Sequence, residues 1–345
     1  MKIMTINLCL PSDTNISKAS LLRVVRPQVF HRLAACGSSL ATSLSLMLAL
    51  VLSVPAMVRA ADTGKTFSTP EEAVAALAAA VNAKDHDALQ DIFGPAAVDL
   101  ENPDRVQAAN ERQRFVAAFN TTNQLVRESD NQCVLEVGAD AWPFPIPIVK
   151  NGGKWSFDTE AGKEEILNRR IGRNELATLQ SVRAYVEVQR EYASRDRLGN
   201  EVLQYAQKFV SSPGLKDGLY WPTNLDGEIS PLGPLVARAQ AAGYGRTGKG
   251  PEAAPEPFHG YYFKILTRQG KHAPGGKYNY VINGNMIGGF ALVAWPAEYG
   301  NTGIMTFIVN QQGRVYQKDL GSKTDKLALA MAQYDPDSTW QLSPD

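Results

Sequence analysis

The chain has 345 residues, 35 Lys plus Arg against 35 Asp plus Glu, 44% hydrophobic residues and three cysteines. That length accommodates two domains of ordinary size, and the balanced charge speaks against nucleic acid or another polyanion as partner. Setting aside residues 1–60, which hold six Lys/Arg and one Asp, leaves 29 basic against 34 acidic residues and only Cys133, so no intrachain disulfide can form in the remainder.

The pattern of those first residues is the reason for setting them aside. Arg23, Arg26 and Arg32 precede an uncharged run from Leu33 to Val58, Leu-rich over Leu44–Val54, with Pro55 just before Val58-Arg59-Ala60. A basic flank, a short apolar core and small residues before a cut after Ala60 describe a cleaved secretory signal peptide and a periplasmic destination. Uncleaved, the same run is long enough to anchor the chain, the one route to membrane contact. Cys36 precedes the apolar core and so cannot be a lipid attachment site.

From Ala61 to Gly172 the pattern predicts helices and then strands. Thr69-Pro70-Glu71-Glu72 opens a helix with a capping box and a first-turn proline. Asp85 caps a second helix closed by Gly94-Pro95, and Asn102-Pro103 starts a third. Strands follow at about 125–128, 132–137, 141–150 and 154–158, with Asn151-Gly152-Gly153 as a tight hairpin turn. Pro143, Pro145 and Pro147 cannot donate to a ladder, which predicts an edge strand over Trp142–Ile148. Cys133 reads as a small buried strand residue. Asp85-His86-Asp87 reads as a helix cap.

From Arg173 to Asp345 a long amphipathic helix is expected over Asn174–Ser194 and a second over Glu201–Val210. A short helix near Leu235–Ala242 and a Gly/Pro loop at 243–257 follow. Gly260–Thr267, Phe290–Trp295, Met305–Val309 and Arg314–Lys318 then read as antiparallel strands, with Phe290–Trp295 apolar on both faces and hence central.

Motifs for chemistry are sparse. Gly243–Gly250 falls one residue short of a phosphate-binding loop, and Asn283-Gly284-Asn285-Met286-Ile287-Gly288-Gly289 does not match dinucleotide glycine spacing; it reads as a strand connection with positive φ. His259 and His272 lack further ligands for a metal, and Asp335-Pro336-Asp337 reads as a capped turn. No catalytic set, metal or cofactor is expected. All twelve tyrosines follow residue 184. Tyr220, Trp221, Tyr261, Tyr262, Tyr278 and Tyr280, with Asn283 and Asn285, are the candidate recognition residues.

Three resemblances bear on the fold. Helices followed by an antiparallel sheet ending in "GGKWSFD" resemble the nuclear-transport-factor-2-like superfamily, which implies a cone with a small-molecule pocket. The passages "ATLQSVRAYVEVQREYAS", "HGYYFKIL" and "FALVAWPAEYGNTGIMTFIVNQQGRVYQKD" are similar to the globular part of type IV pilins and pseudopilins. The chain lacks their apolar helix start, so pilin-like polymerisation is not implied. Trp142–Ile148, Arg169–Glu175, Gly218–Pro222, Ser230–Leu235 and Gly289–Gly321 resemble exported bacterial proteins grouped as domain-of-unknown-function 2950, a likeness that implies no activity.

The expectation is an α+β protein: N-terminal helices on a small antiparallel sheet (61–172), then a pilin-like domain (173–345) with a long helix against a four-strand antiparallel sheet. The expected function is non-catalytic, an envelope module that binds another envelope protein. The alternatives are a hydrolase or carbohydrate-binding protein acting on cell-wall or exported glycan, and a small-ligand binder using the first domain.

Overall fold

The computed structural model describes residues 64–223, 227–244 and 257–344. The leader, the cut after Ala60 and the phosphate-loop-like stretch beyond Tyr244 lie outside the described residues. Helix α1 (Pro70–Ala83) begins where Thr69 Oγ1 accepts from the Glu72 N–H at 3.2 Å while Glu72 Oε2 accepts from Ser68 N–H at 2.8 Å. Helix α2 (His86–Phe93) is capped by Asp85, whose Oδ1 accepts from Ala88 N–H at 3.0 Å. Helix α3 (Arg105–Thr121) starts later than Asn102-Pro103 suggests. Its cap is Asp104, whose Oδ1 accepts from Val106 and Gln107; the Asn102 side chain instead accepts the N–H of Asp104 itself.

Strands β1 (Asn123–Ser129), β2 (Gln132–Val137), β3 (Trp142–Pro143), β4 (Ile148–Asn151) and β5 (Lys154–Phe157) form an antiparallel sheet in the order β1-β2-β4-β5, with β3 pairing the far end of β2. The expected edge strand over Trp142–Ile148 is therefore corrected. Three prolines break it into two short pieces, and Phe144 and Ile146 between them turn into the core while Phe144 N–H still reaches Leu135 C=O at 2.7 Å. Strand β4 then runs inside the sheet, between β2 and β5. The Asn151–Lys154 hairpin forms, with Gly152 and Gly153 at φ 57° and 81°. Phe93 packs edge-on to Phe157 at 5.1 Å and Phe115 lies 5.4 Å from Phe144, and Cys133 is a free, buried thiol beside this core.

Helix α4 (Thr159–Ala193) has 35 residues, roughly 50 Å of rod at 1.5 Å per residue. The sequence expectation starts it at Asn174; it starts fifteen residues earlier, where Asp158 Oδ1 accepts from Ala161 N–H at 3.1 Å. The charged run Arg169–Arg173, which precedes the expected helix, is helix interior. Ile166 near one end is buried in the first core, and Val182, Val186 and Tyr192 near the other are buried in the second.

The expected helix over Glu201–Val210 does not form. Asp196 collects the N–H groups of Leu198, Gly199, Asn200 and Glu201 at 2.7–3.3 Å, and Glu201 is left-handed at φ 61°. Beyond that turn the buried Gln189 side chain accepts from Ala206 N–H at 2.9 Å and donates to Ala206 C=O at 2.8 Å, binding the segment to α4 as extended chain. Tertiary bonds thus replace the helical ladder that local pattern favours.

Helix α5 (Gly233–Ala241) leads to β6 (Tyr261–Leu266), β7 (Arg268–Gln269), β8 (Tyr278–Asn279), β9 (Val281–Ile282), β10 (Asn285–Met286), β11 (Ala291–Pro296), β12 (Met305–Asn310), β13 (Tyr316–Asp319), helix α6 (Thr324–Ala330) and β14 (Gln341–Leu342). The main sheet is antiparallel in the order β14-β13-β12-β11-β6, so it has five strands instead of four, β14 adding the last edge. Strand β11 is buried at every position, as its uninterrupted apolar sequence predicts, and both α4 and α6 pack on it. The fold is α+β.

Candidate functional site

The recognition candidates do not converge. Trp221, Tyr261 and Tyr280 are wholly buried. Trp221 Nε1 donates to Glu228 C=O at 3.2 Å, Tyr261 Oη to Met305 C=O at 3.0 Å and Tyr280 Oη to Gln269 Oε1 at 3.0 Å, so these side chains are core pillars whose polar tips are satisfied internally. They present no recognition face, because burial by distant segments takes the surface that strand alternation left open. Tyr220 is half-buried, and Tyr262 lies 5.8 Å from Trp295. Tyr278 keeps 37% of its surface. Asn283 sits exposed at a two-residue turn (φ 50°, followed by Gly284 at 84°), and Asn285 accepts from Asn200 Nδ2 at 3.3 Å.

What the fold does bring together is a polar joint between the first helices and the second sheet. On α4, Arg170, Asn174 and Thr178 recur every four residues and are all buried. On α3 the facing positions are Gln107 and Glu111, also buried. Gln107 Nε2 donates to Asn174 Oδ1 at 2.8 Å and to His259 Nδ1 at 3.2 Å, and Asn102 Nδ2 donates to Gln107 Oε1 at 3.2 Å. Asn174 Nδ2 donates to Thr302 C=O at 2.9 Å, and Arg170 donates to the carbonyls of Leu100 and Glu101 and to Asn301 Oδ1. Arg173 Nη1 lies 2.7 Å from Glu111 Oε1.

The approach to His259 is equally built. Tyr244 Oη donates to Asp104 Oδ2 at 2.6 Å, and Asn110 Nδ2 donates to Ala242 C=O at 2.9 Å, so the end of α5 docks on α3. The rings of Phe258 and Tyr244 lie 4.3 and 5.5 Å from the imidazole. Gly260, at φ 72°, passes so close that a Cβ there would sit 2.8 Å from Asn174 Nδ2 and Thr302 Cβ. Glu175 Oε1 accepts the N–H groups of both Ile304 and Met305 at 2.9 Å, fixing the loop that carries Thr302.

Burial sets the electrostatics. Desolvation pushes the Glu111 carboxyl above its usual range, opposed first by Arg173 and then by Asn102, Arg114 and Arg170. Desolvation pushes the His259 imidazole below its usual value; Arg173 adds to this and Asp104 opposes it. The Tyr244 phenol is pushed up by burial and by Asp104. Every one of these changes disfavours charge in a dry joint, with Arg173 and Glu111 compensating each other.

A second feature opens to solvent: a shallow groove of about 390 Å³ lined by Ile308, Met331, Gln333, Asp335 and Trp340 among others. Asp335 Oδ1 accepts the His272 backbone N–H at 2.8 Å and lies 3.1 Å from His272 Nδ1. Lys318 Nζ sits 5.8 Å from the centre of the Trp340 ring and donates to Thr339 Oγ1 at 2.6 Å. His259 and His272 thus belong to different neighbourhoods. Asp337 takes the N–H of Thr339, as a capped turn does. Among the described residues no cluster of three His, Cys, Asp or Glu is placed to hold a metal, and no helix is long and apolar enough to cross a membrane.

Sequence reasoning missed the polar joint. Its one visible trace is the four-residue spacing of Arg170, Asn174 and Thr178, which carries meaning only once the helix is known to start at Thr159.

The family described as Protein of unknown function (DUF2950) matches residues 64–342, and the chain belongs to that family. No curated protein matches the chain, and no solved structure does, so the likenesses to nuclear-transport-factor-2-like and pilin folds are not confirmed.

Proposed function

We propose that this family member is an exported, non-catalytic module that binds another envelope protein, with the groove at Trp340 as its contact site. The observation that carries the reading is the composition of that groove: Trp340 and Met331 supply apolar contact over a floor formed by the buried Ile308, and Asp335 and Gln333 supply hydrogen-bonding groups. Trp and Met are enriched in the centres of protein interfaces, and a carboxylate on the rim adds orientation. The interior joint supports the same reading from the other side. Gln107 is bound to Asn174, and Arg170 and Asn174 are bound to main-chain carbonyls, which rigidifies the scaffold that presents the groove.

Affinity capture from envelope extracts tests this. The purified chain should retain a specific partner, and Trp340→Ala with Asp335→Ala should release it. Capture no better than background for both forms would remove the reading's main support.

A second reading rests on the same lining. An indole beside a carboxylate and an amide suits the apolar face and hydroxyl edge of a sugar ring, so a cell-wall or exported glycan is the alternative ligand. Titration with soluble glycan fragments, followed by tryptophan fluorescence, separates the two. Only a signal abolished by Trp340→Phe would favour the glycan.

A further inference from the structure

We propose that His259 is a proton-operated catch: neutral, it holds α3 to the strand entry at β6, and protonation at Nδ1 releases that hold.

The argument rests on hydrogen-bond direction. At one end, the Asp104 backbone N–H can only donate, so the Asn102 atom facing it at 3.0 Å is the oxygen. That leaves Asn102 Nδ2 to donate to Gln107 Oε1. At the other end, the Thr302 carbonyl can only accept, so the Asn174 atom 2.9 Å away is the nitrogen, and Asn174 Oδ1 faces Gln107. Gln107 is therefore oriented from both sides by main-chain groups one side chain away. Its amide nitrogen has two protons; one goes to Asn174 Oδ1 and the other meets His259 Nδ1 at 3.2 Å. An NH2 group cannot accept, so Nδ1 carries the lone pair and the ring proton sits on Nε2. A proton added at Nδ1 would set two donors face to face.

Neither partner can easily turn away. The half-buried imidazole is flanked by the Phe258 and Tyr244 rings, and Gly260 pins the following backbone against Asn174 and Thr302. Reversing the Gln107 amide would break the bonds to both Asn174 and Asn102.

Among the described residues, the charged and titratable groups around the ring come from every element that packs on it. Asp104, at the cap of α3, attracts an added proton; Arg173 on α4 repels it; Tyr244, past α5, has its hydroxyl committed to Asp104. Glu111 on α3 is engaged by Arg173. The balance, with burial the largest contribution, favours the neutral ring. Acidification is thus relieved by opening the joint, not by ionising it in place.

Hydrogen–deuterium exchange of the full chain tests the catch at about pH 7.5 and about pH 5, on either side of the usual imidazole range. In wild type, segments 105–121, 170–178 and 257–261 should exchange roughly fivefold faster at the lower pH, corrected for intrinsic chemistry, the size expected when one hydrogen bond of the joint is lost. His259→Asn is the discriminating variant. Its Oδ1 can take the Nδ1 position as an acceptor, it does not titrate in this range, and Asn tolerates the left-handed φ of 49° found there. It should keep those segments equally protected at both pH values. An unchanged wild type, or a variant that loosens as wild type does, would overturn the proposal. If the variant fails to fold, imidazole nitrogen shifts of wild type decide: a proton on Nδ1 at neutral pH refutes the catch, and one on Nε2 upholds it.

Discussion

Arg173 Nη1 reaches Glu111 Oε1 at 2.7 Å, and the carboxylate it meets has no exposed surface while the guanidinium keeps 19% of its own. The pair is asymmetric, and so should be its mutants. Arg173→Ala takes the nearest opposite charge from a buried carboxylate that Asn102, Arg114 and Arg170 still face, and should cost about 3 kcal/mol, whereas Glu111→Gln leaves a neutral hydrogen-bonding group and should cost clearly less. Urea denaturation of both variants measures this; equal losses would argue that the pair is solvated in solution.

The pH dependence of stability should show two opposed contributions. Burial holds the Glu111 carboxyl above its ordinary 4.5, so the folded state binds that proton more readily; the contribution is full below about 4.5 and is lost as pH rises through the folded value. Burial holds His259 below its ordinary 6.5, so its contribution is full above 6.5 and is lost as pH falls through the lower folded value. Relative to wild type, Glu111→Gln should therefore make stability rise more steeply with pH, and His259→Asn should make it rise less. Denaturation midpoints between about pH 4.5 and 7 decide, and slopes displaced in the same direction would contradict the assignment.

Gln189 binds both main-chain groups of Ala206 and donates to Tyr185 Oη at 2.9 Å. Gln189→Ala should cost about 2–4 kcal/mol, since each buried main-chain group left without a partner costs about 1–3. Exchange protection around residues 203–207 should fall with it, because that segment has no helix of its own to fall back on.

Two glycines should answer oppositely to alanine. Gly260→Ala meets Asn174 and Thr302 at 2.8 Å in a left-handed conformation and should cost about 2 kcal/mol or more. Gly172 lies inside α4 with nothing within 4 Å of an added Cβ, so Gly172→Ala should raise stability by up to about 1 kcal/mol. Thermal denaturation of the two variants checks the pair.

Local chemistry was readable in this chain, and distant burial was not. Thr69 with Glu72, Asp85 as a cap and the Asn151-Gly152-Gly153 turn act over three or four residues, and each forms as its spacing predicts. The doubly apolar run at β11 also located the centre of the second sheet. The polar joint was hidden because Arg169–Arg173 resembles a solvated linker until α3 and the Glu298–Gly303 loop are laid against it. Tyr261 and Tyr280 misled for the converse reason: strand alternation shows that a side chain leaves the sheet, not that Met305 or Gln269 waits to receive its hydroxyl. The helix expected after Glu201 failed because Asp196 and Gln189 captured main-chain groups that a helix would have used.

Helix α4 has a consequence for how this protein can be divided. Residues 159–193 form one unbroken rod, and its opposite ends are embedded in different hydrophobic interiors. A cut near residue 172 would not separate two self-sufficient modules; it would expose raw helix ends on both fragments and part Arg170 from Asn301 and Gln107 from Asn174. Any attempt to express, swap or transplant either half must carry the whole rod with it, and the two halves should melt in a single step.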